Sequence, residues 1–145
     1  MPSDPECRRG HATFDHTADI GLEAWGPSFA EALAEAGLGL QAIVLHDGTV
    51  RAPDTRRFRV AADDADALAV AWLSELLYAL DAHGWLSASF EVSVSEGFRL
   101  SATARGETLD EARHLLGVGV KAVSYHELAV RCEPDAVRIR VIVDV

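Results

Sequence analysis

The stretch Val120–Val145, VKAVSYHELAVRCEPDAVRIRVIVDV, decides the fold. Its second arm alternates Val137, Ile139, Val141 and Val143 with Arg138, Arg140 and Asp144, the period-two pattern of a strand with one buried face. With Glu133–Ala136 as the turn, Cys132 stands opposite Val137, Val130 opposite Ile139 and Leu128 opposite Val141. His126 then stands opposite Val143, and Tyr125 opposite Asp144. That register puts like with like on both arms. It places His126 on the core side as a satisfied core histidine. Lys121, Tyr125, Glu127 and Arg131 then share the polar face with Asp144. The chain therefore ends in an antiparallel hairpin.

Working back, FEVSVSEGFRLSATA (90–104) reads as a second hairpin. Phe90, Val92, Val94, Phe98, Leu100 and Ala102 lie on one side, with Ser95–Gly97 as the turn. Before it, DDADALAVAWLSELLYALDAHG (63–84) reads as a helix with acids at its start and Gly84 at its stop. This helix is apolar nearly all round, as suits a central helix gripped on several sides or one with a face kept for a partner. RRFRVAA (56–62) is a short strand. GPSFAEALAEAGLGLQAIVL (26–45) is a helix that Ser28 and Glu31 open with capping-box spacing. Its stripe is Phe29, Leu33, Ala36, Leu40, Ile43 and Val44, and Gly37 and Gly39 permit close packing on a sheet. HATF (11–14) and IGLEAWG (20–26) are strands. The order β-β-α-β-α-β-β-β-β gives an α+β fold: a single domain, mostly antiparallel sheet with two helices packed on one face. Residues 1–10 read as a flexible polar leader before a domain of residues 11–145.

Composition excludes several classes of function. No signal peptide is legible, and no run reaches the roughly 18 apolar residues of a spanning helix. Cys7 and Cys132, the only cysteines, make no disulfide framework, so a reducing cytoplasm is expected. A net charge of −10 argues against non-specific nucleic-acid binding, so RNA would be met only indirectly. The arginines at 56, 57 and 59 and at 138 and 140 read as solvated strand faces. An independent hydrolase is disfavoured: His16, His114 and His126 with Asp19 lack the tight histidine pairs of zinc hydrolases, and no G-x-S-x-G elbow occurs. His114 reads as favouring the end of its turn.

Two short stretches bring carboxylates to strand ends. DHTAD (15–19) opens one strand, and Asp144 closes the last strand beside Val145. An aspartate of the first stretch, Asp144 and the terminal oxygens of Val145 are donors a hard cation such as calcium accepts.

These residues also form a recognisable set. DHTADIGLEAWG (15–26), Glu107 and His114 in the loop, VKAVSYHELAV (120–130) and the closing VIVDV (141–145) together resemble the archease family, in order and over nearly the whole chain. Ser124 departs from the threonine common in that family. The resemblance implies an accessory protein that activates an RtcB-type RNA ligase in tRNA splicing and RNA repair. It would promote ligase guanylylation and multiple turnover without catalysis of its own. It also implies a metal site for calcium or another divalent cation, made by Asp19, Asp144 and Val145. Lys121 is expected at the ligase-facing surface, with Asp15 and His16 in support. A general chaperone or interaction module is the alternative reading.

Overall fold

The computed structural model describes residues 9–16, 19–117 and 119–145, with Asp15 and His16 taken at the level of the main chain. In chain order the elements are β1 (Gly10–His16), β2 (Asp19–Gly26), α1 (Phe29–Val44), β3 (Leu45–Asp47), β4 (Asp54–Ala61) and α2 (Ala65–His83). They continue with β5 (Trp85–Ser95), β6 (Arg99–Thr108), β7 (Leu115–Leu116), β8 (Ala122–Cys132) and β9 (Val137–Asp144). No helix among the described residues is long and apolar enough to cross a membrane.

Both helices start and stop where local chemistry dictates. The Ser28 hydroxyl accepts the Glu31 N–H at 3.2 Å and donates to its carboxylate at 3.2 Å, so the cap joins the two side chains. Asp64 accepts the Ala67 N–H at 2.7 Å to open α2. Gly84 closes α2 in the left-handed region, at φ +64°, where a side chain would be strained.

Among the described residues the strands pair antiparallel throughout and form three sheets: β1-β2-β9-β8, β4-β6-β5 and the short β3-β7. The α+β expectation holds, with the sheet divided in two and each large sheet offering one face to the helices. α1 lies against β2 and β5, and α2 against β8 and β4. Leu22, Ile139, Val141 and Val143 meet Leu33, Leu40, Leu68 and Trp72 in the core, and Phe58 and Phe90 close it from the other sheet. The glycines of α1 make this approach feasible. A Cβ on Gly39 would stand 2.6 Å from the Leu22 side chain, and one on Gly37 would stand 2.9 Å from Leu76. Glu35 is buried on the same helix and is held by Arg9 and, at 3.0 Å, by His11 Nδ1, which ties β1 to α1.

Three expectations need correction. The β3-β7 ladder went unread because strands of three and two residues carry no periodicity. Phe98 sits in the turn at φ +50° and is exposed, so the β5–β6 loop runs Glu96–Phe98. The last hairpin keeps the expected register only from Cys132↔Val137 to Ala129↔Arg140. Pairing then resumes at Ser124↔Ile142, so residues 125–128 stand against Val141 alone. This bulge, with Glu127 at φ +57°, expels His126 from the core side. The His126 side chain is 71% exposed. Ala122, not Tyr125, lies opposite Asp144.

Candidate functional site

One end of the four-stranded sheet gathers the residues that the sequence singled out. His16 of β1 pairs with Asp19 of β2, Asp19 with Asp144 of β9, and Asp144 with Ala122 of β8. Ile20, Leu22, Val141 and Val143 take the core parity of their strands, so Asp19 and Asp144 project from the outer face. Directly opposed residues have Cβ atoms about 4.5–5.5 Å apart, and like charges in that position repel. Val145 follows Asp144 and is exposed. The Lys121 main-chain N–H donates to the Asp144 carbonyl at 2.8 Å. Lys121 itself is exposed just before β8, so it adjoins the carboxylate row without sharing its face by register. Asp15 pairs with Ile20, one step further along β1, and Thr17 and Ala18 lie outside the described residues.

The donors at this end suit a hard cation. They are carboxylate and main-chain oxygens, which calcium accepts, and the paired negative charges gain by neutralisation. No group of three or more His, Cys, Asp and Glu side chains among the described residues is placed as a metal cluster. The Asp19–Asp144 pair therefore needs main-chain oxygens, water or a partner's groups to complete a shell. Of the histidines of the zinc alternative, His114 is buried beside Glu107 and His126 rides the β8 bulge, and neither joins a group of three such ligands among the described residues.

Beyond the carboxylates the outer face is closed by stacking. Phe14 lies over Gly21, where a Cβ would stand 2.0 Å from the ring, and the Arg140 guanidinium sits 4.1 Å above the ring centroid. Arg140 also bonds Glu23 at 3.1 Å. Ile142 pairs with Gly21 on this face and is nonetheless only 1% exposed. The carboxylate end thus rests on a packed floor.

A second polar cluster escaped sequence reasoning, although two of its members, Glu107 and His114, carry the resemblance. The buried Glu107 carboxylate accepts the Arg51 N–H at 2.7 Å and both terminal nitrogens of Arg113. His114 Nδ1 accepts the Asp110 N–H at 2.9 Å, which leaves Nε2 to donate toward Glu107 and the Thr49 carbonyl, each at 3.2 Å. These bonds fold residues 107–116 back on themselves. Gly117 then donates to the Val44 carbonyl at 2.9 Å, which sets the approach to Lys121. No spacing rule flags such a cluster, because its members come from a strand end and two loops.

The Arg113 guanidinium, and next the Arg51 N–H, hold the Glu107 carboxyl down at about 2, from an ordinary value of 4.5. A depressed carboxyl contributes stability above its unfolded value and loses it as pH falls through the folded one. Glu107→Gln is therefore expected to melt below wild type by a constant margin above about pH 5, the gap closing from about pH 4.5 toward 2. Melting temperatures across that range check this, and a gap independent of pH would remove Glu107 as the titrating group.

The chain matches the model of the Archease protein family (MTH1598/TM1083) over residues 11–145. Protein archease of Pyrococcus abyssi is 33% identical over 125 residues, covering 84% of this chain and 88% of the relative. That of Methanothermobacter thermautotrophicus is 33% identical over 139 residues, covering 94% and 99%. The solution structure of Methanobacterium thermoautotrophicum protein 1598 superposes with a TM-score of 0.82 at 32% identity, over 94% of this chain and 99% of that one. The crystal structure of a Thermotoga maritima archease, described as a "possible chaperone", has a TM-score of 0.57 at 20% identity over 91% and 94%, and speaks to the fold alone.

Proposed function

The chain belongs to the archease family, and from that premise we propose that it is a cytoplasmic accessory protein that activates an RtcB-type RNA ligase in tRNA splicing and RNA repair. It promotes guanylylation of the ligase and lets it turn over repeatedly, and it performs no covalent chemistry itself. The observation that carries this reading is the direct opposition of Asp19 and Asp144 on an outer sheet face, with Val145 next in the chain. A cation held there, calcium or another divalent ion, supplies charge neutralisation and a coordination point for a partner's oxygen. Asp19 and Asp144 bind it, with main-chain oxygens of Val145 alongside. The Lys121 N–H fixes the Asp144 main chain, while the Lys121 side chain and the β1 positions Asp15 and His16 meet the ligase. The ligase carries the RNA.

The test is RNA joining by the cognate ligase at limiting enzyme. The wild-type chain is expected to convert one round of joining into many, while folded Asp19→Ala and Asp144→Ala variants leave it near one round. Full activation by both variants removes the carboxylates from the function. No activation by wild type leaves the general chaperone or interaction module, which the exposed Tyr78, Leu115 and Leu116 favour. Suppression of aggregation of an unrelated protein by all three chains would then support that second reading.

A further inference from the structure

The outward face of the β4-β6-β5 sheet has an unusual composition. Phe58, Val60, Leu100, Ala102, Phe90 and Val92 take the core parity, so their neighbours point away from the helices. Among those neighbours are Arg57 and Arg59 on β4 and Arg99 and Arg105 on β6, all exposed. The remaining outward positions are serine or threonine, apart from Ala61, Glu91 and, buried at one end, Leu86 and Glu107. A chain with 23 acidic residues thus leaves one exposed carboxylate, Glu91, on this face against four guanidinium groups, the buried Glu107 being taken up by Arg113. None of the four makes an ion pair among the described residues. By contrast, Arg138 and Arg140 on the other sheet are matched to Glu133 and Glu23.

The four arginines are also ordered. Arg105 stands opposite Thr55 and Arg99 opposite Ala61, so along the sheet the sequence of rows is Arg105, Arg57, Arg59, Arg99. Each row is two residues from the next, about 6.8 Å, and the whole line spans about 20 Å. Its charges lie on two adjacent strands, about 4.8 Å apart.

We propose that this face binds the phosphate backbone of an RNA strand. Arginine with serine and threonine hydroxyls is the donor set that grips phosphate oxygens without reading sequence. The spacing corresponds to roughly two steps of the ~3.4 Å rise per phosphate on a stacked strand. The face has no aromatic platform on which bases would stack. Nor has it an apolar or aromatic anchor of the kind that centres a protein interface. The net charge of the chain does not oppose a local contact, because Glu91 is the one exposed acid on this face and the Debye length at physiological salt is only about 8 Å. The strand's being RNA rests on the ligase-activator reading; the phosphate contact does not. The inference departs from the expectation that RNA is met only through the ligase. Here the ligase brings the strand and this face holds part of it.

The experiment uses the chain alone, without ligase, and reads the fluorescence anisotropy of a short labelled oligouridylate against salt. Four phosphate contacts predict a slope of about −3 in log K against log salt, a loss of roughly 50-fold between 50 and 200 mM. Arg57→Ser, Arg59→Ser, Arg99→Ser and Arg105→Ser together are expected to abolish both binding and slope. Arg57→Lys, Arg59→Lys, Arg99→Lys and Arg105→Lys together keep both, and Arg138→Ser with Arg140→Ser changes neither. The proposal is overturned by absence of saturable wild-type binding at low salt, or by the four-serine protein binding as wild type does. It is also overturned if polyglutamate binds as tightly as the oligouridylate, which would make the face a site for acidic peptide. Because no ligase is present, these results are independent of the joining assay. The Asp19 and Asp144 variants should bind the oligouridylate normally even if activation proves wrong.

Discussion

Replacing Trp72 by alanine is expected to cost about 3–5 kcal/mol and to lower the melting temperature by 10 °C or more, on the order expected for a chain of this length. Trp72 is fully buried at the point where four elements meet. Its ring meets Phe58 of β4 edge-on at 5.7 Å and Phe90 of β5 at 5.2 Å. Its indole N–H donates to the Leu33 carbonyl of α1 at 2.8 Å. Alanine therefore removes a large apolar volume, two aromatic contacts and the hydrogen bond that joins the two helices. Trp72→Phe separates these effects. It keeps most of the volume and loses the donor, so it should cost well under half as much. Thermal and urea unfolding of the three proteins decide the matter. An alanine variant within about 1 kcal/mol of wild type would mean that the site collapses around the loss, and that Trp72 does not hold the layers together.

Trp72 also shows what was legible in advance. α2 could be read because its signals are local: an acidic start that includes the capping Asp64, an apolar interior and a glycine stop. Of the two accounts its all-round apolar surface allowed, the gripped central helix describes Leu68, Trp72 and Leu73, each 0% exposed. Of its large apolar side chains only Tyr78 is exposed. The final hairpin was legible for its first half, where alternation runs unbroken on both arms. It was lost at Tyr125–Leu128, because a bulge closed by a non-glycine residue in the left-handed region leaves no mark in the sequence. That slip misplaced His126 and Lys121, and both misplacements vanish once residues 125–128 are set against Val141 alone. The Asp19–Asp144 pairing lay further from sequence reasoning. Parity puts each residue on an outer face, but nothing in the spacing of two aspartates 125 positions apart makes β2 and β9 neighbours. The resemblance supplied that link, and the register of the sheet now gives it a physical form. The Glu107 cluster was illegible because tertiary closure, not periodicity, assembles it.

The opposition of Asp19 and Asp144 has a consequence whose sign depends on the cation. Without divalent metal, two carboxylates facing each other across a ladder repel, by about 1 kcal/mol at these distances in a water-like dielectric and by more where water is partly excluded. Asp144→Asn removes one charge and keeps the shape, so in chelator it is expected to melt at or above wild type. With calcium at about a hundredfold excess over its dissociation constant, binding contributes about 2.7 kcal/mol to wild type, a rise on the order of 5–10 °C. The asparagine variant should gain only a small part of that, so the order of stability reverses between the two conditions. Asp19→Asn should likewise gain only a small part of the calcium stabilisation. The double variant should show less than the sum of the two single losses, because either substitution alone already disables the shared site. Melting curves of four proteins in chelator and in calcium measure all of this. Parallel shifts in every protein would mean that the cation acts on the acidic surface at large, and the Asp19–Asp144 pair would then be a strained ladder position and nothing more. A reversal against wild type in the variants would tie a divalent cation to this pair by an observable that requires neither ligase nor RNA.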